Sequence, residues 1–432
     1  MADKVTNYIC PACMGSVHFA AETGMIECDY CGSTYSVEEM EKMMAEANAS
    51  AEEAAKTVDQ WEQAQQEWIG DNMTAYSCPS CRAELICDDS VGATSCPYCG
   101  NPTIVPAQFS GIMKPEYVVP FKLTKGDAVK KLQEHCKGKT LLPKSFTENN
   151  HLEEVKGVYV PFWLYDGVAK GAANYAATKE RTETRGDEKV TITEHYKVSR
   201  AGEVAFEKIP ADGSSKMPDD LMDSIEPYDY SEMKTFSKAY LAGFMADKYD
   251  VSAEDNSPRI QERAKNTFQA MLRDTVKGYD SVNVEHSNTV ITEGKVTYAL
   301  MPVWLLATKW NDKNFLFAMN GQSGKMVGDL PVDMGKYWKI VIGVILALEA
   351  LMGVISFASH AAMSPAGIIV KFIVIPLIIG FIVGGVMKGK MKSVFTATTA
   401  NSYMDKNKLR LNRNWDAFSH RTEKVTKIQK QQ

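Results

Sequence analysis

Apolar residues form two nearly unbroken runs near the C-terminal end of the chain. The runs YWKIVIGVILALEALMGVISFA and GIIVKFIVIPLIIGFIVGGVM are separated by the uncharged segment SHAAMSPAG. About 20 apolar residues is the length that crosses a bilayer as a helix. The pattern therefore predicts a two-helix transmembrane hairpin over residues 336–390. The alternative is a pair of buried helices in a soluble core.

A second pattern repeats every seven residues in an acidic stretch. Mostly apolar or small residues recur there at alternating steps of three and four, which is the seam of a helix that packs on a partner. These positions are Val37, Met40, Met44, Ala47, Ala51, Ala54, Val58, Trp61, Gln65 and Trp68. The pattern predicts a long acidic helical linker over residues 37–75. The helix over residues 37–68 would pair with a second copy of the chain or fold back on the protein.

Between residues 107 and 335, strand-like and helix-like patterns are mixed. YVVPFKL, GVYVPFWLYDGVA and KVTITEHYKVS favour strands, whereas TKGDAVKKLQEHCKG and SPRIQERAKNTFQAMLRDTVKGY favour helices. VPFWLY at 160–165 and MPVWLL at 301–306 share a pattern, and each precedes another strand. The region predicts a central α+β domain with an internal duplication of a β unit. Coincidence between two buried strands is the alternative.

Eight cysteines form a repeated unit in which 14 residues separate two Cys-x-x-Cys pairs. Each pair directs two sulfurs at one centre, so two pairs complete a tetrahedral set of four thiolates. Gly24 and Gly92 lie where a hairpin in each spacer would turn. The spacing predicts two structural Zn²⁺ ions in two small β zinc ribbons, over residues 1–36 and 76–106. The ligands would be Cys10, Cys13, Cys28 and Cys31 in the first ribbon and Cys78, Cys81, Cys96 and Cys99 in the second. Iron in a rubredoxin-like site and disulfide bonds are the alternatives.

Basic residues flank the outer ends of both apolar runs, and none lies in the turn between them. Lys336 and Lys339 precede the first run, and KGKMK follows the second. The positive-inside rule then predicts a cell-membrane protein with two spans and with both termini in the cytoplasm. This orientation keeps the cysteines in a reducing compartment, which favours thiolate ligands over disulfides.

The net charge of −6 is distributed unevenly along the chain. Residues 1–102 carry 17 acidic and four basic residues, whereas residues 388–432 carry 11 basic and three acidic residues. Binding to a nucleic-acid backbone depends on lysine and arginine, so we do not expect it at the N-terminal head. The basic cytoplasmic tail, residues 391–432, directly follows a span. Anionic lipid headgroups are therefore its nearer partner.

Two charged residues interrupt the apolar runs. Glu349 lies in the middle of the first run and Lys371 early in the second. Ionisable residues inside a membrane are costly and mark candidate functional sites. The simpler hypothesis is an intramembrane ion pair that locks the hairpin, with Lys371 extending toward the surface.

Known catalytic motifs do not fit this sequence. GKT at 138–140 resembles the end of a phosphate-binding loop, but Gln133 stands where that motif requires glycine. NGQSGK at 320–325 favours a hairpin turn over an anion cradle. The sequence therefore predicts a protein that is not an enzyme, without catalytic residues or an organic cofactor.

The two cysteine units, together with VVPF, GVYVPFWL, DGSSKMPDDLMDSIEPYDY, YALMPVWLL and NGQSGKMVGDLPVD, give the chain a family resemblance. It resembles bacterial membrane proteins of uncharacterised function that carry a TFIIB-type zinc ribbon, some of which bear a replication-restart helicase label. The resemblance covers nearly the whole chain. It implies zinc at the eight cysteines and a membrane anchor, and it brings no established activity. The absence of a phosphate-binding loop motif argues against the helicase label.

Together these patterns predict a multidomain protein: two zinc ribbons joined by a long helix, a central α+β domain and a C-terminal transmembrane hairpin. The function they favour is a non-enzymatic adaptor or scaffold that binds a cytoplasmic protein at the membrane face. One alternative is a membrane-tethered nucleic-acid-binding factor linked to transcription or replication. Another is an accessory subunit of a membrane enzyme or transporter.

Overall fold

A computed structural model describes most of the chain. The described residues are 17–28, 32–43, 73–88, 96–99, 105–107, 113–148, 155–311, 313–359 and 365–427. They belong to two compact units, each built from three separate stretches of the chain. Unit 1 comprises Met1–Val160, Ser214–Lys248 and Leu300–Thr396, and unit 2 comprises Pro161–Gly213, Tyr249–Ala299 and Ala397–Gln432.

Strands account for much of the described structure. In chain order they are β1 (Val17–Ala20), β2 (Met25–Cys28), β3 (Thr34–Tyr35), β4 (Met73–Ser77), β5 (Glu84–Asp88), β6 (Val105–Ala107), β7 (Tyr117–Val118), β8 (Lys156–Arg185), β9 (Glu188–Asp212), β10 (Lys234–Thr235), β11 (Met245–Asp247), β12 (Ser281–Trp310), β13 (Lys313–Asn320), β14 (Met326–Val327) and β15 (Arg410–Lys427). Strands β1, β2 and β3 form a small sheet, and the other 12 form one large mixed sheet.

Helices flank these strands. They are α1 (Lys125–Cys136), α2 (Lys144–Glu148), α3 (Asp219–Ile225), α4 (Ala253–Asp274), α5 (Met334–Ser359), α6 (Pro365–Ile369) and α7 (Ile375–Gly389). A π-helical turn, Val370–Val374, joins α6 to α7. Residues 37–43 are also helical.

The predicted fold class, two zinc ribbons joined by a long helix and followed by a central α+β domain, is wrong. The structure is mostly the 12-stranded sheet, and strands β4, β5 and β6 of the second cysteine segment belong to it. They join it because β5 pairs with β11, so the segment has no separate sheet of its own. Of the predicted linker helix, residues 37–43 are helical, and residues 44–72 lie outside the described residues.

Within unit 1, both cysteine segments dock on the short stretch from Lys238 to Lys248. The amide of Phe19 in β1 donates to the carbonyl of Ala242 at 3.1 Å, and its ring packs edge-on against Tyr240. Strand β5 pairs antiparallel with β11 three residues further along. Parallel pairing of β11 with the start of β8 connects this stretch to the core of unit 1.

Unit 2 is built from very long strands and one long helix. Strands β8 and β9 form an antiparallel ribbon from Phe162 to Arg185, and β15 pairs with the outer edge of β9. Ser252 caps helix α4 by accepting from the amide of Asp255, an interaction that is worth about 1 kcal/mol. The buried face of α4 includes Ile260 and Phe268. Burial of such side chains supplies about 1.5–3 kcal/mol each.

The two units repeat the same main-chain hydrogen bonds. In unit 2 the amide of Gly213 donates to Pro161 O at 2.8 Å, while Gly213 O accepts from the amides of Asp250 and Val251. In unit 1 the amide of Gly321 donates to Pro302 O, also at 2.8 Å. Gly321 O likewise accepts from two successive amides, those of residues 122 and 123.

Tryptophan side chains repeat in the same way. Trp163 Nε1 donates to Val251 O at 2.9 Å, and Trp304 Nε1 donates to Leu123 O at 3.0 Å. In both units the accepting residue directly precedes the N-cap of a helix, α4 or α1. These matched contacts involve the segments VPFWLY and MPVWLL, whose shared pattern predicted an internal duplication.

The two apolar runs form helices that pack antiparallel within unit 1. Windows at Met334–Ser356 and Gly367–Gly389 are long and apolar enough to cross a membrane, by length and composition. Gly380 and Gly384 of α7 lie against α5. A Cβ atom added to Gly384 would lie 2.6 Å from Val341 Cγ2. Glycines four residues apart let the two backbones approach closely.

Candidate metal centre

Four cysteine sulfurs of the second cysteine segment surround a common centre. The ligand atoms of Cys78, Cys81, Cys96 and Cys99 all lie within 4.8 Å of one another. The sulfur–sulfur distance is 3.7 Å for Cys78 and Cys99 and 3.6 Å for Cys81 and Cys96. Tetrahedral ligation at a Zn–S distance of about 2.3 Å places sulfurs about 3.8 Å apart. The cluster therefore fits one metal ion.

The turn after β4 positions the first two sulfurs. The amide of Cys78 donates to Ala83 O at 2.9 Å, and the amide of Arg82 donates to Cys78 O at 2.7 Å. Arg82 closes this turn with a φ angle of +59°. Strand β5 starts two residues later, so the turn is fixed at both ends by sheet hydrogen bonds.

Backbone amides donate to the sulfurs and favour their charged form. The amides of Ser80 and Cys81 donate to Cys78 Sγ. Burial raises the pKa of the Cys78 thiol, but these amide donors and the neighbouring thiols outweigh that effect and lower the pKa to about 7. Burial raises the pKa of Cys81 to about 11 and shifts that of Cys96 further upward. A bound cation would offset this cost by stabilising all four thiolates.

Tyr98 connects the cysteine cluster to the centre of unit 1. It lies between Cys96 and Cys99 and is buried, as is Asp247 at the end of β11. Burial, together with the nearby charge of Asp247, raises the pKa of Tyr98 well above its usual range. Lys248 Nζ adds an ion pair at 3.0 Å to Glu84 of β5. No sequence pattern indicated these contacts, because Asp247 lies about 150 residues from the cluster.

The first cysteine segment repeats part of this geometry. Cys28 is buried at the end of β2. Its amide donates to Ser33 O at 2.9 Å, and the amide of Gly32 donates to Cys28 O at 3.0 Å. Gly32 has a φ of +71°, so it occupies the same place in its turn as Arg82. Gly24 turns the preceding hairpin, at φ +68°.

Three ligands predicted for the first site, Cys10, Cys13 and Cys31, lie outside the described residues. Gly92, predicted to turn the second hairpin, lies outside them as well. Within the part of the chain that the structure describes, one cluster of potential metal ligands is formed, and it could bind one metal ion.

The predicted ion pair between Glu349 and Lys371 does not form in the described part of the chain. Lys371 Nζ donates to Ser356 Oγ at 2.7 Å, and no ion pair joins it to Glu349 there. Lys371 also lies over the ring of Phe372, 5.7 Å from its centroid. It sits in the π-helical turn before Pro376, whose ring is incompatible with a regular preceding turn.

The NGQSGK segment is a hairpin turn whose polar groups bind the protein itself. Asn320 Nδ2 donates to the carbonyls of Ile225 and Pro227, and Asn320 Oδ1 accepts from two amides of the turn. Lys325 Nζ donates to Glu226 O at 2.6 Å. These groups fasten the turn to the end of α3.

The fold and the site define a β-rich protein that has two long apolar helices and a cluster of four cysteines with the geometry of a metal site. The chain is 33% identical over 349 residues to a protein of Bacillus subtilis strain 168 that is named uncharacterized protein YdjG. The alignment covers 80% of this chain and 97% of that protein, so the chain belongs to the YdjG family. No family model matches the chain, and no solved structure matches it.

Proposed function

We propose that this protein is a zinc-binding adaptor, anchored in the cell membrane by α5 and α6–α7, that binds a cytoplasmic protein partner. Both termini lie on the cytoplasmic side in this proposal. The resemblance to TFIIB-type zinc-ribbon membrane proteins is consistent with it. The proposal assigns one structural Zn²⁺ to each cysteine segment, with the four cysteine ligands predicted for that segment.

The main support for the proposed adaptor function is the exposed surface of β15. All but one of its 18 side chains are exposed. Among them, Trp415, Phe418 and Val425 each leave more than half of their area open to solvent. In the described structure β15 pairs with one neighbour, β9. Exposed aromatic side chains on an edge strand are typical of protein-binding surfaces that accept an added strand.

The metal assignment is tested by elemental analysis of the full chain, purified in detergent under reducing conditions. We expect two zinc ions per chain. Replacing Cys78 and Cys81 together by serine should remove one ion, as should replacing Cys10 and Cys13. Cys136→Ser, a cysteine outside both sets, should retain both. Iron with visible absorbance, or metal-free protein, would contradict the assignment.

The adaptor function is tested by photocrosslinking in native membranes, with a crosslinking amino acid at position 415 or 418. Lys234, on an exposed edge in unit 1, provides the control position. We expect one discrete protein adduct at positions 415 and 418 that is absent at 234 and that is reproduced from the partner's side. Adducts with nucleic acid would instead support the membrane-tethered nucleic-acid-binding factor. No adduct at either position would refute the adaptor role of β15.

A further inference from the structure

Three distant stretches of chain meet at the end of the hairpin where α5 begins and α7 ends. The amide of Leu330 donates to Met391 O at 2.9 Å, which joins the segments that enter and leave the hairpin. The amide of Asp333 donates to Leu141 O at 2.8 Å. The linker between α1 and α2, residues 137–143, is therefore held against the base of the hairpin.

Lysines are concentrated at this junction. Lys139 Nζ donates to Lys390 O at 2.5 Å, and Lys336 Nζ donates to Leu142 O at 2.6 Å, so side chains from the linker and the hairpin interleave. Seven lysines lie on the three stretches that meet here, and each is exposed or half-buried. We define the basic collar as Lys137, Lys139, Lys336, Lys339, Lys388, Lys390 and Lys392.

The acidic residues of the junction bind main-chain amides and not the lysine side chains of the collar. Asp329 accepts from the amides of Ser393 and Val394, and Asp333 accepts from the amide of Lys336. In the described residues, none of the collar lysines forms an ion pair with a carboxylate. Seven lysines against two aspartates leave the junction with an excess of positive charge, which attracts anions.

We propose that the basic collar binds the phosphate groups of anionic phospholipids, so that the α1–α2 linker forms a second membrane contact beside the hairpin. Trp338 and Met334 at the same end of α5 are about half exposed. A tryptophan at that position suits the headgroup level of a bilayer. This inference rests on the membrane anchoring in the proposed function.

The linker lysines distinguish this site from the lysines that flank any membrane span. The linker lies roughly 200 residues before α5 in sequence, and the contact of Lys139 with Lys390 O shows that the fold brings it to the hairpin base. A lysine near an anionic membrane surface strengthens attraction by about fivefold. Part of the lipid selectivity should therefore depend on the linker.

The test uses the full chain reconstituted in nanodiscs that contain phosphatidylcholine and phosphatidylglycerol. Spin-labelled versions of each lipid report the fraction immobilised at the protein surface. We expect phosphatidylglycerol to be immobilised at least fivefold more strongly than phosphatidylcholine, with the preference weakened in high salt. The double variant Lys137→Gln with Lys392→Gln should lose most of that preference. The matched control Lys114→Gln with Lys130→Gln, two exposed lysines outside the collar, should keep it.

Equal immobilisation of the two lipids by the unmodified protein would overturn the inference while leaving the membrane anchor intact. An equal loss in the control variant would also overturn it, because general charge would then explain the preference. Protein that is released from native membranes by alkaline carbonate would refute the anchor, and the collar proposal with it. Matching circular dichroism spectra of both variants would show that the substitutions leave the fold unchanged.

Discussion

Arg82 shows how one backbone conformation supports the metal centre. Its φ of +59° lies in the left-handed region, as does the φ of Gly32, which closes the similar turn after Cys28 in the first cysteine segment. A residue with a Cβ atom is strained there by about 1 kcal/mol or more. The strain is tolerated because the turn directs Cys78 and Cys81 at one centre.

The effect of a substitution at Arg82 on the stability of the turn should therefore depend on whether the new side chain is branched at Cβ. Arg82→Val should destabilise the turn by about 1–3 kcal/mol, since a β-branched residue is a severe outlier at positive φ. Arg82→Gly should be nearly neutral or slightly stabilising. Zinc affinity, measured by competition with a chromogenic chelator, should fall in the valine variant only. Equal affinity in both variants would show that the turn does not limit metal binding.

A buried arginine in unit 2, Arg200, makes the stability of the fold depend on pH through its contact with Asp416. Arg200 Nη1 donates to Asp416 Oδ1 at 2.5 Å, and Tyr279 donates to Asp416 Oδ2 at 2.8 Å. The hydrogen bond from Arg200 is the largest cause of the lowered pKa of Asp416, and the bond from Tyr279 adds to it against the opposing effect of burial.

Because this pKa is lower in the folded than in the unfolded protein, Asp416 stabilises the fold above the unfolded value of about 3.9. The contribution is lost as the pH falls through the folded pKa. Asp416→Asn should therefore lower the thermal midpoint of the detergent-solubilised protein at pH 7, and the difference from the unmodified protein should shrink below about pH 4. A difference that stays constant from pH 7 to pH 3 would argue against a charged role for Asp416.

At the scale of elements, the direction of helical side chains explains why Glu349 and Lys371 do not pair. Side chains of a helix lean toward its N-terminus. In an antiparallel hairpin, Glu349 on α5 and Lys371 before α7 therefore lean in opposite directions. Lys371 reaches Ser356, which lies about two turns beyond Glu349 toward the connection between the helices. Counting residues from the connection between the helices places the two charges near each other. That count does not include the direction in which each side chain points.

Close packing of the hairpin should depend on one face of α7. Gly384→Leu should lower the thermal midpoint by several degrees, since a side chain at this position meets Val341 and Tyr337 and overpacking costs about 1–3 kcal/mol. Gly385→Leu is the matched control, because a Cβ at that glycine meets no atom within 4 Å. Equal destabilisation by the two substitutions would refute this packing.

The duplicated contacts should respond alike in the two units. Trp163→Phe and Trp304→Phe each remove the indole donor to the residue before a helix cap, and each should cost about 1–2 kcal/mol. Trp310→Phe, whose Nε1 makes an exposed 3.4 Å contact with Ser145, should change stability little. Thermal unfolding of the three variants provides the comparison. If only one of the two repeated tryptophans matters, the matched contacts do not have matched roles.

At the scale of the whole molecule, the sequence identified local features better than their assembly. Cysteine spacing predicted the cluster at Cys78, Cys81, Cys96 and Cys99, because a metal site of this kind is encoded in short turns. Hydropathy predicted the two long apolar helices for the same reason. The predicted fold class was wrong because β5 pairs with β11, which lies about 160 positions further along the chain, and local sequence patterns do not show such pairing. Alternation along one strand shows which face is buried, but it does not name the neighbouring strand.

The same long-range pairing predicts that metal binding stabilises a distant part of unit 1. Removing the metal should loosen the turns that hold β5, and β11 would then lose one of its two neighbours. Hydrogen exchange at Met245–Asp247 should accelerate by at least tenfold after chelation or in the Cys78→Ser variant. Amides between β9 and β15 share no ladder with β5 or β11 and should exchange at an unchanged rate. If exchange at β11 were unaffected by chelation, the cysteine cluster would stabilise its own turns alone, and the sheet would hold β11 without it.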